Sequence, residues 1–61
     1  MKTKFKLHDI VLYNNQGVMD AGIIESIFIC LDNVLYTIRG VQIREDQVTA
    51  ALGNAEDYAS E

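Results

Sequence analysis

The sequence contains no proline and no tryptophan, and only one cysteine and one histidine. Without proline, and with charged residues at 23%, neither a collagen-like nor a disordered chain fits the composition. A lone cysteine, Cys30, excludes an intramolecular disulfide and suits a reducing compartment. One His and one Cys also fall short of the four ligands that a structural zinc site takes. No apolar run approaches the roughly 18 residues of a membrane helix. The basic start Met1-Lys2-Thr3-Lys4-Phe5-Lys6 leads into His8-Asp9 and not into an apolar stretch, so no signal peptide is expected and a cytoplasmic location is. Gly17, Gly22, Gly40 and Gly53 are scattered, which rules out a glycine-rich phosphate loop.

Basic residues are also scarce, five against nine acids, for a net charge of −4. Their distribution matters more than the total. Residues 1–52 hold every base (Lys2, Lys4, Lys6, Arg39, Arg44) and six acids, a balance of −1, and Glu56, Asp57 and Glu61 carry the other −3. A nearly neutral body with a short acidic end is a poor match to the strongly positive surface that non-specific nucleic-acid binding needs.

What the chain does have is apolar residues, 49% of 61, enough for one small core. Ile10–Tyr13 is rich in β-branched and aromatic residues and predicts a first strand. Asn14-Asn15-Gln16-Gly17 predicts a turn. Ala21–Leu31 is long for a flat strand, so a bulge is expected near Glu25-Ser26, with Gly22 at a bend or a close backbone approach. Asp32-Asn33 predicts a two-residue hairpin into Val34–Ile38, and Arg39-Gly40 a second into Val41–Arg44. Residues 45–53 read either as a helix capped by Gly53 or as a 3₁₀ turn at Glu45–Gln47 followed by a strand at Val48–Ala50; we adopt the second. The expected core is Leu7, Val11, Ile24, Ile27, Ile29, Tyr36, Ile38, Val41, Ile43 and Val48, with Leu52 closing one end. A small barrel is placed at residues 1–52 and an acidic tail at 53–61, frayed from Asn54.

Few residues suggest chemistry. His8 and Asp9 are neighbours that would point to opposite faces of a strand, so they read as a solvated loop His beside a turn Asp. Cys30, inside an apolar run, reads as a buried inert thiol. Tyr13 and Tyr36 offer two of the several faces that a cation cage needs, and they read as strand packing. Lys2, Lys4 and Lys6 alternate along an extended start and form a short basic strip. No catalytic residue, cofactor or metal is expected. The candidate partner-contacting residues are Lys2, Lys4, Lys6, Arg39, Arg44, Gln42 and Tyr13.

In order, Phe5-Lys6-Leu7-His8-Asp9-Ile10-Val11, Gly22-Ile23-Ile24, Tyr36-Thr37-Ile38 and Glu45-Asp46-Gln47-Val48 resemble the SH3-like barrel superfamily, particularly its compact bacterial KOW- and Tudor-like members. The resemblance covers about residues 5–52, and His8 stands where that pattern has Gly. It implies an all-β fold, a single small SH3-like barrel of about five strands with a short 3₁₀ turn before the last. The Trp of a proline-peptide groove is missing, so such a groove is not expected. Locally, Gly40-Val41-Gln42-Ile43 and Ala50-Ala51-Leu52 resemble the plasmid-encoded type II dihydrofolate reductases. That likeness implies a pore shared by four subunits in which Gln42 and Ile43 touch folate and nicotinamide. Arg44 stands at that family's Tyr, and Tyr13 about where it has a lysine.

The function expected is therefore a non-enzymatic binding module acting through protein–protein contacts, an accessory or mobile-element protein. The alternatives are a KOW-like nucleic-acid-binding module and a reductase-like oligomer. Outward-facing Ile23, Phe28 and Leu35 would permit a homo-oligomer.

Overall fold

The computed structural model describes residues 2–59, with Ala59 described in its backbone only. Five antiparallel strands follow one another: β1 (Asp9–Asn15), β2 (Val18–Ile29), β3 (Val34–Ile38), β4 (Val41–Arg44) and β5 (Val48–Asn54). A 3₁₀ turn (Glu45–Gln47) precedes β5, and a short helix, α1 (Ala55–Ala59), follows it. The strand order is β4-β3-β2-β1-β5, so all-β architecture and the turn before the last strand are as expected. All five strands contribute to one core: Val11, Tyr13, Ile24, Val34, Tyr36, Ile38, Ile43 and Val48, with Phe5 and Ile27 packed against it.

β2 makes the sheet curl, because it belongs to two pairings. Residues 18–23 pair with β1, and residues from Ile24 onward pair with β3. The register slips between Ile24 and Ser26, which leaves Glu25 as the bulged, exposed residue and bends the strand where the pattern predicts. Gly22 lies beside the bend. A Cβ there would stand 2.5 Å from Cγ2 of Ile38, a residue with no exposed surface. Only glycine leaves room for β3 to cross so closely.

Two of the hairpins use residues in the left-handed region. Gln16-Gly17 has φ of 54° and 86°, and Arg39-Gly40 has 54° and 78°, which suits the right-handed twist of the strands they join. The third hairpin differs from its expected form. Ile29 pairs with Val34, and the Cys30 N–H donates to the Asn33 carbonyl at 2.8 Å, so the turn is centred on Leu31-Asp32, one residue earlier than Asp32-Asn33.

Several boundaries also move. β1 extends through Asn14 and Asn15 because they pair with Met19 and Val18, and β5 runs on to Asn54. Asn54 Nδ2 donates to the Leu7 carbonyl (3.1 Å) and to Asp9 Oδ1 (2.9 Å), and the Ala55 N–H donates to the His8 carbonyl (2.9 Å). Asn54 and Ala55, at the start of the segment expected to fray, are thus tied to the turn before β1. Met1, Ser60 and Glu61, at the two ends of the expected segments, lie outside the described residues.

Core membership changes in step. Leu7, Ile29, Val41 and Leu52 are each at least 45% exposed, whereas Tyr13 and Val34 are buried. Ile29 and Val41 sit at strand ends beyond the reach of the core, and Leu52 falls at a register slip between β5 and β1. Gly22→Ala is expected to cost about 1–3 kcal/mol in urea unfolding, since the buried Ile38 has nowhere to retreat; an unchanged midpoint would contradict the close crossing.

Candidate functional site

The five basic residues are spread over the N-terminal segment and the two ends of β4. Lys2, Lys4 and Lys6 are exposed on a segment that is not a strand. Arg39 sits in the β3–β4 turn, its Nε donating to the Ala21 carbonyl at 3.0 Å. Arg44 is at the other end of β4, roughly 15 Å away along the strand, with Nε 3.3 Å from Asp46 Oδ1. Tyr13 is 2% exposed because β1 turns it inward, so it cannot meet a partner. Gln42 is exposed, but its neighbour Ile43 is buried in the core, and the pair point to opposite faces. His8 adopts φ of 69° in the turn before β1, and its Nδ1 lies 2.9 Å from Glu56 Oε1 and not against Asp9.

Tyr36, which has no exposed surface, organises one end of the molecule. Its hydroxyl donates to Glu45 Oε2 at 2.7 Å and accepts the Phe5 N–H at 3.3 Å. The Lys4 N–H donates to the same Glu45 oxygen at 3.0 Å, and the Phe5 ring meets Tyr36 edge-on at 5.9 Å. Burial, then the hydrogen bond to Glu45, pushes the Tyr36 hydroxyl up to about 12. The Lys4 N–H and then the Tyr36 hydroxyl hold the Glu45 carboxyl below its ordinary value.

Beside this network is an open depression of about 370 Å³, lined by Asn14, Gln16, Arg44, Asp46, Gln47 and Thr49 among others. Gln47 is committed at both ends, accepting the Arg44 N–H (3.0 Å) and donating to the Asn14 carbonyl (3.2 Å). The lining offers amides, a hydroxyl and an ion pair, but no thiol or imidazole. It can hydrogen-bond a ligand, and its one carboxylate, Asp46, is paired with Arg44.

The less ordinary surface is the β2–β3 hairpin. Phe28, Ile29, Cys30 and Leu31 are four consecutive exposed apolar residues, at 46% and 57% for the first two and 99% for Leu31. Cys30, expected to be buried, is exposed because β2 ends at Ile29 and Cys30 opens the turn. Register places Phe28, Leu35 and Arg44 in one row across β2, β3 and β4. Val34 and Tyr36 face inward, so Leu35 and its row partners face outward. Of Ile23, Phe28 and Leu35, expected to face outward, Ile23 and Phe28 are exposed and Leu35 is half-buried, and the expectation missed Leu31. Counting the hairpin register back from the β3 alternation would have found it.

Comparison of the chain with protein-family models, with curated proteins and with solved structures gave no match.

Tyr36→Phe should cost about 1.5–3 kcal/mol in urea, the range for a buried hydrogen bond to a charged group. Tyr36 is held protonated in the fold, so its contribution is present below pH 10 and is lost as pH rises toward about 12. Glu45 has the opposite sense, its contribution disappearing as pH falls through its lowered folded value. Unfolding curves of the parent should therefore weaken between pH 10 and 12 more than those of Tyr36→Phe; parallel curves would contradict the assignment.

Proposed function

We propose that the protein is a non-enzymatic, SH3-like binding module that acts through protein–protein contacts, with the β2–β3 hairpin as its contact surface. The strand order and the 3₁₀ turn before β5 support the SH3-like reading. One observation carries the functional part: Leu31 occupies the centre of a tight turn with its side chain almost wholly in water. Turn centres favour Asn, Asp and Gly for conformational reasons, and an exposed leucine adds nothing to the core. Folding therefore gives no reason for it, whereas binding does. The row formed by Phe28, Leu35 and Arg44 beside it combines an aromatic residue, a leucine and an arginine, and aromatics and Arg are the types enriched at contact surfaces.

The separation of Arg39 from Arg44 weighs against the nucleic-acid alternative. An exposed free thiol suits a cytoplasmic, reducing setting. No helix among the described residues is long and apolar enough to cross a membrane.

Tagged chain incubated in a native lysate, with and without nuclease, tests the reading. Nuclease-resistant capture that Leu31→Ser abolishes is expected, while that substitution shifts folding stability by no more than about 0.5 kcal/mol. Capture that disappears with nuclease, or that Leu31→Ser leaves intact, would overturn it.

A further inference from the structure

We propose that the partner meets this hairpin as an extended peptide strand, apolar at its centre and basic at its ends, added to the free edge of β2 at Ile27 and Ile29. This rests on the reading of the hairpin as the contact surface and names the chemistry of what binds there. β2 changes neighbours along its length. Its pairing with β1 ends at Ile23, and beyond that point the edge turned away from β3 has no strand beside it. Ladder geometry says which backbone groups lie on that edge. The Cys30 N–H donates to the Asn33 carbonyl, and the register runs without a slip from Ile29 back to Ser26. Cys30, Phe28 and Ser26 therefore bond toward β3, and Ile27 and Ile29 turn their N–H and C=O groups the other way. Among the described residues, no backbone bond outside the ladders reaches those four groups, and the His8 N–H extends only as far as the Ile24 carbonyl.

Alternating N–H and C=O groups along an open edge are matched by another extended backbone. The other open edges are blunted. β4 is four residues long, β5 carries two register slips against β1, and Arg39 Nε occupies the Ala21 carbonyl on the first half of β2. By contrast, the run Ser26-Ile27-Phe28-Ile29-Cys30-Leu31 contains neither a charge nor a proline. Its side chains set the middle of the partner. Ile27 and Ile29 share a face with Tyr36 and Val34, and Phe28 shares the outward face with Leu35, so an added strand meets apolar neighbours on both faces. Charge sets the ends. Glu25 is the exposed bulged residue where this edge begins, and Asp32 stands in the turn where it ends. Neither makes an ion pair or a side-chain hydrogen bond among the described residues. Lys or Arg at both ends of the partner complements these acids and the net charge of −4. The same acids disfavour a second copy. Two β2 edges paired antiparallel about Phe28 would set Glu25 of each copy beside Leu31 of the other, one residue from its Asp32.

A displayed library of random linear peptides, selected on the immobilised full chain under reducing conditions, supplies the probe. Selected sequences should have an apolar, proline-free centre with Lys or Arg on either side. When one of them binds as a synthetic peptide, hydrogen exchange at the Ile27 and Ile29 amides should slow about tenfold or more relative to the free chain. N-methylation of Ile29 in the chemically synthesised full chain removes an N–H that the fold leaves unpaired. It should preserve the circular dichroism spectrum and weaken peptide binding about tenfold or more. Unchanged exchange at Ile27 and Ile29, undiminished binding after N-methylation, acidic selected sequences, or no selected peptide at all would each overturn the proposal. Protection that grows with chain concentration in the absence of peptide would overturn it in favour of a second copy. Capture from the lysate that Leu31→Ser abolishes and N-methylation of Ile29 leaves intact would overturn the added strand alone and keep the hairpin as the contact surface.

Discussion

The hydrogen bond from the Tyr36 hydroxyl to Glu45 is the contact on which the rest of the structure depends. A sheet ordered β4-β3-β2-β1-β5 has two unpaired edges, and nothing in its ladders fastens β4 to β5. Tyr36 stands on β3 in the core, and Glu45 opens the 3₁₀ turn that carries the chain from one edge to the other. The same oxygen of Glu45 accepts the Lys4 N–H, so the N-terminal segment is drawn over the gap and Phe5 is laid against the Tyr36 ring. Gln47 adds a second tie, from β4 to the end of β1. Each tie is modest, but a domain of this size has a net stability of only a few kcal/mol to lose.

These ties also explain why the hairpin is free to do something else. The turn before β1 is held by Asn54, Ala55 and Glu56 of the C-terminal segment, and the β4–β5 side by Tyr36, Glu45 and Gln47. The core of eight buried residues is complete without anything beyond Val34 on the β2–β3 hairpin. Cys30 and Leu31 extend past it, and Phe28 and Ile29, level with Leu35 and Val34, stay about half exposed. The apolar surface of Leu31 adds nothing to the core, and natural surfaces seldom retain such a run without a use for it.

Much of the scaffold is legible in the sequence because local chemistry and global fold agree. β3, β4, the 3₁₀ turn and the Arg39-Gly40 turn are bounded by residues with strong preferences, and the bulge at Glu25 follows from a strand too long to stay flat. The errors come from register. Asp32-Asn33 has the better turn chemistry, but the pairing of Ile29 with Val34 puts Leu31-Asp32 at the turn, and neither Asp32 nor Asn33 enters the left-handed region. That single-residue difference hid Leu31 and left Cys30 assigned to the interior. Tyr13 was placed among the partner-contacting residues although alternation from the expected core residue Val11 already turns it inward, as the structure has it.

The claim that Tyr36 and Glu45 act together as the fastening of an open sheet is tested most directly by a double-mutant cycle on urea unfolding, with Tyr36→Phe, Glu45→Gln and the pair. The account predicts that the double variant loses less than the sum of the singles, with a coupling of about 1–2 kcal/mol. Strictly additive losses would contradict it, leaving Tyr36 as a core ring and Glu45 as a surface carboxylate with no energetic link between them.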